Sequence, residues 1–182
     1  MARSSLYLAD SNILLRLAKG DHPEFPLVRG AIRALTQKGM TPAYTLQNMT
    51  EFWNASTRPK ERNGFGLTVE ETERNAQDIE RSFTFLVDTE AVYREWRRIV
   101  VQYGVSGVQV HDARLAAAMY AHGIREILTL NGSDFTRFAG ITAITPTILK
   151  DRMRLPQAGA YSGLEQPTSQ KRLDTVSSPS LR

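Results

Sequence analysis

Cysteine is absent from the 182 residues, which excludes disulfides, a thiolate nucleophile and cysteine-ligated zinc, and fits a reducing compartment. Histidine is scarce: of the three, His111 and His122 flank one expected helix too far apart to chelate a single ion. No apolar run approaches the ~18 residues of a membrane span, and Asp10 interrupts the N-terminal apolar stretch before it can serve as a signal-peptide core. A soluble, unexported, cytoplasmic protein is expected. Net charge is also thin over most of the chain. Of the net +4, a net +3 belongs to residues 150–182, where Lys150, Arg152, Arg154, Lys171, Arg172 and Arg182 outnumber Asp151, Glu165 and Asp174. The overall basicity is therefore weak evidence for a basic binding face on the fold.

A hydrophobic content of 41% in a chain of this length supports one sizeable core. The expected organisation is one domain over 1–150 and a flexible basic tail over 151–182, because Ser, Gly, Gln and Pro recur there without hydrophobic period. The domain is organised around Leu6-Tyr7-Leu8-Ala9-Asp10-Ser11-Asn12. Four mainly apolar residues run without alternation into a carboxylate, the pattern of a strand buried on both faces of a parallel sheet. Ser11 reads as the N-cap of a helix carrying Ile13, Leu14 and Leu17. Asp10 then stands where a strand ends and a helix begins, the place where ligands collect in open α/β sheets.

The remaining chain alternates helix and strand. A helix is expected from about Pro26 to Lys38, capped by Gly39, and a strand from Met40 to Tyr44 whose Pro42 points to a sheet edge or a strand end. Thr45 opens a helix to about Thr57 with an apolar stripe of Leu46, Met49 and Trp53; Glu51 lies off that stripe, on a polar face with Gln47, Asn48 and Asn54. Arg58–Gly66 is an exposed loop, and Thr68 with Glu71 forms a capping box for a helix reaching roughly Arg81. A strand at Phe83 to Val87 and a helix from Glu90 to Tyr103 follow. On the latter Val92, Trp96, Ile99, Val100 and Tyr103 face inward, and Arg94, Arg97 and Arg98 face solvent. A helix beginning at His111 and Asp112 places Asp112 on one stripe with Leu115, Ala116 and Met119. An acid there is costly to bury unless compensated, and the helix N-terminus returns only about 0.3–1 kcal/mol. Strands at Glu126 to Thr129 and Thr142 to Ile144 bracket a turn through Asn131, Gly132 and Ser133 that delivers Asp134. The fold class is α/β, three layers with a central, largely parallel sheet.

Asp10, Glu51, Asp112 and Asp134 thus stand at element ends or on polar faces. Brought together, each pair about 4 Å apart would repel by roughly 4 kcal/mol at an effective dielectric of 20. A proton shared between two acids relieves this; so does a divalent cation, Mg²⁺ or Mn²⁺ given the lack of sulfur and spaced imidazoles. Such an ion polarises a phosphate and aligns a water for in-line attack, which is the chemistry of phosphodiester hydrolysis.

These four positions also carry a resemblance. LADSNILLRLA, TEFWN, HDARLAAAM and LTLNGSDF, in that order over residues 6 to 148, resemble the four acidic motifs of PIN-domain ribonucleases, and most of all the VapC-type toxins of bacterial toxin–antitoxin pairs. The resemblance implies a PIN-like fold and a metal-dependent endoribonuclease in which Asp10, Glu51, Asp112 and Asp134 surround one or two Mg²⁺ or Mn²⁺ ions. It also implies an RNA substrate, a cognate antitoxin that inserts into the active-site groove, and a homodimer. Ser11 keeps the hydroxyl of the family's more usual threonine, Asn12 would structure the rim of the site, and Asn131 would orient the last acid. Arg114 is a candidate phosphate contact, with a plain surface charge as the competing reading. The tail beyond Met153 lies outside the resemblance.

Two other classes compete. A phosphatase working through an aspartyl phosphate suits Asp10 but wants a second acid two residues on, where Asn12 stands. A catalytically silent module that binds RNA or a protein partner would use the fold without the chemistry. Trp53 and Trp96 read as core residues, and the glycines at 64 and 66 form no dinucleotide fingerprint.

Overall fold

The computed structural model of the protein describes residues 6–154, with side chains through residue 150. Five strands, β1 (Leu6–Ala9), β2 (Thr41–Thr45), β3 (Thr84–Leu86), β4 (Glu126–Leu128) and β5 (Thr142–Ile144), form one sheet in the order β3-β2-β1-β4-β5. Every ladder is parallel. The helices are α1 (Ser11–Leu17), α2 (Phe25–Gln37), α3 (Leu46–Thr57), α4 (Val69–Ser82), α5 (Glu90–Gln102), α6 (Gln109–Ala121) and α7 (Pro146–Arg154).

Alternation along the strands divides the core in two. Leu8, Ala43 and Ile127 point to the face covered by α5 and α6, with Ile99, Leu115 and Met119 packed on them. Tyr7, Ala9, Tyr44 and Leu128 point to the other face, with Leu14, Val28, Phe52, Ile79 and Leu149 from α1, α2, α3, α4 and α7. The result is the three-layer α/β/α arrangement expected. Gly123 closes α6 with a φ of 69°, a conformation that side chains resist.

The strand order places the site. From β1 the chain moves outward through β2 to β3, then crosses to the other side of β1 for β4 and β5. The reversal leaves a crevice at the carboxyl ends of β1 and β4, where ligands bind in open α/β sheets. Register pairs Ala9 with Leu128, and the Asp10 amide donates to the Leu128 carbonyl at 2.9 Å. Asp10 and Thr129 therefore emerge side by side.

Several expectations change in detail. Pro42 sits inside the sheet, because β2 lies between β1 and β3; the β3 ladder begins only at Ala43, so the missing amide falls before that pairing starts. Of the two places proline allows, the strand end is taken. The cap of α1 is Asp10 and not Ser11, whose hydroxyl is spent elsewhere. The capping box of Thr68 and Glu71 is present, with bonds of 2.8 and 3.1 Å. α7 was not anticipated: Thr145 accepts from the Ile148 amide at 3.4 Å and Leu149 is buried against the α2 side, so the helix runs across the expected boundary at residue 150. Of the tail expected over 151–182, the part from residue 155 lies outside the described residues.

The largest change concerns α3. The stripe of Leu46, Met49 and Trp53 faces the core only in part: Met49 and Trp53 pack half-buried against it, but Leu46 is 52% exposed. The buried residues are Gln47, Asn48, Phe52 and Ser56, so the polar side of this helix is its inner side.

Candidate active site

Asp10 is half-buried at the end of β1, and its Oδ2 accepts hydrogen bonds from the Thr129 hydroxyl at 2.6 Å and the Asn12 side-chain amide at 2.7 Å. The same Thr129 oxygen accepts from the Asn131 amide at 3.0 Å and from Asn12 Nδ2 at 3.2 Å, while Asn12 Oδ1 accepts from the Leu130 amide at 3.2 Å. These bonds lock β1, α1 and the segment after β4 into one rigid corner. Burial pushes the Asp10 carboxyl from its ordinary 3.8 up to about 6, with the charges of Glu51 and Asp112 adding to the rise and the Thr129 and Ser11 bonds opposing it.

Glu51 approaches from α3. Its Oε2 accepts from the Ser11 hydroxyl at 2.5 Å and its Oε1 from Gln47 Nε2 at 2.8 Å. Gln47 Nε2 also donates to the His111 carbonyl at 3.0 Å, joining α3 to the first turn of α6. Asn48 donates to Ser11 Oγ at 3.2 Å while its Oδ1 accepts from the Thr45 amide and hydroxyl. The inner face of α3 is thus polar because it builds a continuous chain, Thr45, Asn48, Ser11, Glu51, Gln47, that lines the crevice. One atom in it is left over: Gln47 Oε1 is buried without a hydrogen-bond partner.

Asp112 sits in the first turn of α6, half-buried on the stripe that Leu115, Ala116 and Met119 bury in the core. Its carboxyl is raised by burial first and then by the charges of Asp134 and Glu51, against the lowering influence of His111 and Arg137. Asp134 is exposed on a short 3-10 turn, Gly132–Phe135, where its amide donates to the Asn131 carbonyl at 3.2 Å. Asn131 thereby holds the last acid through its backbone.

The four sequence-predicted acids therefore form one electrostatic group in which Asp112 feels Asp134 and Glu51, and Asp10 feels Glu51 and Asp112. Among the described residues no three acids or imidazoles draw together into a ready-made metal-ligand group. Mg²⁺ keeps several waters and takes one or two carboxylates. The all-oxygen donor set and the orphaned Gln47 Oε1 beside Glu51 fit an ion of that kind. Arg114, two residues along α6 from Asp112, is held by Asp88 at 2.6 Å. His122 contacts the Val87 carbonyl at 3.0 Å.

Thr129 and Arg137 escaped the sequence reading, and Gln47 and Asn48 were read only as the polar face around Glu51. Thr129 had a signal: a hydroxyl inside the apolar string ILTL, directly past the strand beside β1, must find a partner once buried. Asn48 had one too, three residues after Thr45 in a capping-box position.

The comparisons agree with this fold. No curated protein matches the chain. Among solved structures it is similar to VapBC2 from Rickettsia felis bound to a promoter DNA fragment, at 14% identity and a TM-score of 0.58 over 77% of this chain and 98% of that one. It is also similar to a toxin–antitoxin complex from Klebsiella pneumoniae (19% identity, TM-score 0.51, 77% and 97% covered). A third is Mycobacterium tuberculosis VapC20, a sarcin–ricin loop cleaving toxin (12% identity, TM-score 0.54, 75% and 98% covered). At such identities the likeness is one of fold. The PIN domain family model matches residues 7–141, and the chain belongs to that family.

Proposed function

We propose that the protein is a divalent-metal-dependent endoribonuclease and the toxin of a toxin–antitoxin pair. The observation that carries the reading is the single electrostatic group of four acids at the β1/β4 crevice, with Asp10 raised to about 6 by its burial and by Glu51 and Asp112. Asp10, Glu51, Asp112 and Asp134 would hold Mg²⁺ or Mn²⁺. When bound, the ion supplies charge to polarise the phosphate and to lower the pKa of an attacking water.

The chain's own residues do the rest. Thr129 and Asn12 fix the Asp10 rotamer through Oδ2. Ser11 and Gln47 hold one Glu51 oxygen each, so that acid is aimed before any ion arrives. Asp134, exposed at the mouth, is placed to meet the incoming backbone. RNA as substrate is supported by the likeness to a toxin that cleaves the sarcin–ricin loop, and an antitoxin partner by the likeness to a toxin–antitoxin complex. A homodimer is the assembly that goes with this reading.

The test is cleavage of labelled RNA by the purified chain in Mn²⁺ and in EDTA. Cleavage should require the ion and fall at least ~100-fold in Asp10→Asn and Asp112→Asn; persistence in either variant refutes the reading. The openness of the acid group favours one competitor, a silent binding module, which would retain RNA equally with and without the ion and never cut it.

A further inference from the structure

A second concavity lies on the same carboxyl edge of the sheet. It has a volume of about 310 Å³ and is lined by Asp88, Thr89, Val92, Tyr93, Trp96 and Arg114. Asp88 lies two residues past β3 and Asp10 directly follows β1, with only β2 between those strands, and Arg114 stands two residues along α6 from Asp112.

Its chemistry is distinct from that of the acid group. Tyr93 is 58% exposed, and its ring centroid lies 6.3 Å from that of Trp96 at 34°. Trp96 donates Nε1 to the Val110 carbonyl at 3.2 Å, which fixes its ring. Arg114, 44% exposed, gives one Nη to Asp88 and keeps other N–H groups for a ligand. Aromatic rings offer a face on which any base stacks, and a guanidinium beside them meets a base edge or a phosphate. An apolar protein partner would have to bury the Asp88–Arg114 pair at a desolvation cost that a polar base edge avoids.

We propose that this concavity is a nucleobase subsite for single-stranded RNA, with Tyr93 and Trp96 as the stacking platform and Arg114 as the polar contact. The proposal rests on the ribonuclease reading above. It names a site for a nucleotide flanking the cleaved bond and gives Trp96 a role beyond the core.

The experiment measures binding of a fluorescein-labelled single-stranded RNA to the full chain in EDTA, where no cleavage intervenes. Tyr93→Ala should weaken binding about five- to tenfold, the low end of a stacked base, and Tyr93→Phe should bind as the wild type does. Circular dichroism and thermal melts establish that each variant folds. Equal affinity of wild type and Tyr93→Ala overturns the subsite, as does a wild-type chain that binds no RNA in EDTA. A Tyr93→Ala variant that binds weakly only because a wild-type dimer has become monomeric, read by light scattering, assigns the patch to a second copy instead. Asp10→Asn separates the two proposals: cleavage that survives it sinks the nuclease, while lost cleavage with unchanged Tyr93→Ala binding sinks the subsite alone.

Discussion

Helices α3 and α6 each bring an acid to the same crevice, and they are built in opposite ways. The inner face of α6 is Leu115, Ala116 and Met119, all buried, so Asp112 rides on a helix clamped by packing. The inner face of α3 is Gln47, Asn48 and Ser56 around one Phe52, so Glu51 rides on a helix where directional bonds join the packing of Phe52, Met49 and Trp53. Packing fixes where a helix lies; hydrogen bonds fix where one carboxylate points. Asp10, at the end of β1, feels the charges from both helices.

Breaking the packed side should cost most. Met119 is fully buried, and Met119→Ala should lose about 2–5 kcal/mol in urea denaturation, a loss spread over the whole domain because the cavity opens beneath α6. If Met119→Ala melts like the wild type, α6 is not anchored by its core stripe.

The residue between the two helices is next. Because the Asp10 pKa is raised in the fold, the native state binds the extra proton between 3.8 and about 6, and stability falls as pH rises through that window. The difference amounts to roughly 3 kcal/mol at most. Asp10→Asn should therefore be more stable than the wild type at pH 8 without added cation, and should lose that advantage by pH 4. Added Mn²⁺ should raise the wild-type melting temperature and leave that of the variant unchanged. Thermal melts across pH, with and without the ion, decide both points.

The bonded side should respond least in stability and most selectively in chemistry. Gln47→Met keeps the length of the side chain and removes its bonds to Glu51 and His111, at about 0.5–1.5 kcal/mol. A loss of kcat larger than the change in KM would show that aiming Glu51 matters. Unchanged kinetics would reduce the Gln47 tie to a structural bond.

The same contrast explains what the sequence could convey. The stripe of α6 was legible because its buried face is apolar, as amphipathic periodicity assumes. α3 was misread for the same reason: its inward residues line a site, and the exposed Leu46 mimicked a core position. The strand-to-acid transition at Asp10 and the capping box at Thr68 are local and were readable. The strand order, the bond from Asn12 to Thr129 and the tie from Gln47 to the His111 carbonyl join residues far apart in the chain, and no local pattern reports them. All four acids were found at element ends or on polar faces, with Ser11 and Asn12 beside them, whereas Thr129, Gln47 and Asn48 were given no part in the site, since Thr, Asn and Gln look alike on a surface and in a pocket. α7 went unseen because its one strong anchor, Leu149, gives no periodic signal alone.

The bond between Asp10 and Thr129 joins residues 119 positions apart. Of the described strands β1 is made before the others, yet the hydroxyl that steadies its carboxylate comes only after β4. A nascent chain, or one cut short before β4, lacks the wall that completes the crevice. The order of synthesis itself keeps the reactive edge unfinished until nearly the whole domain has been made.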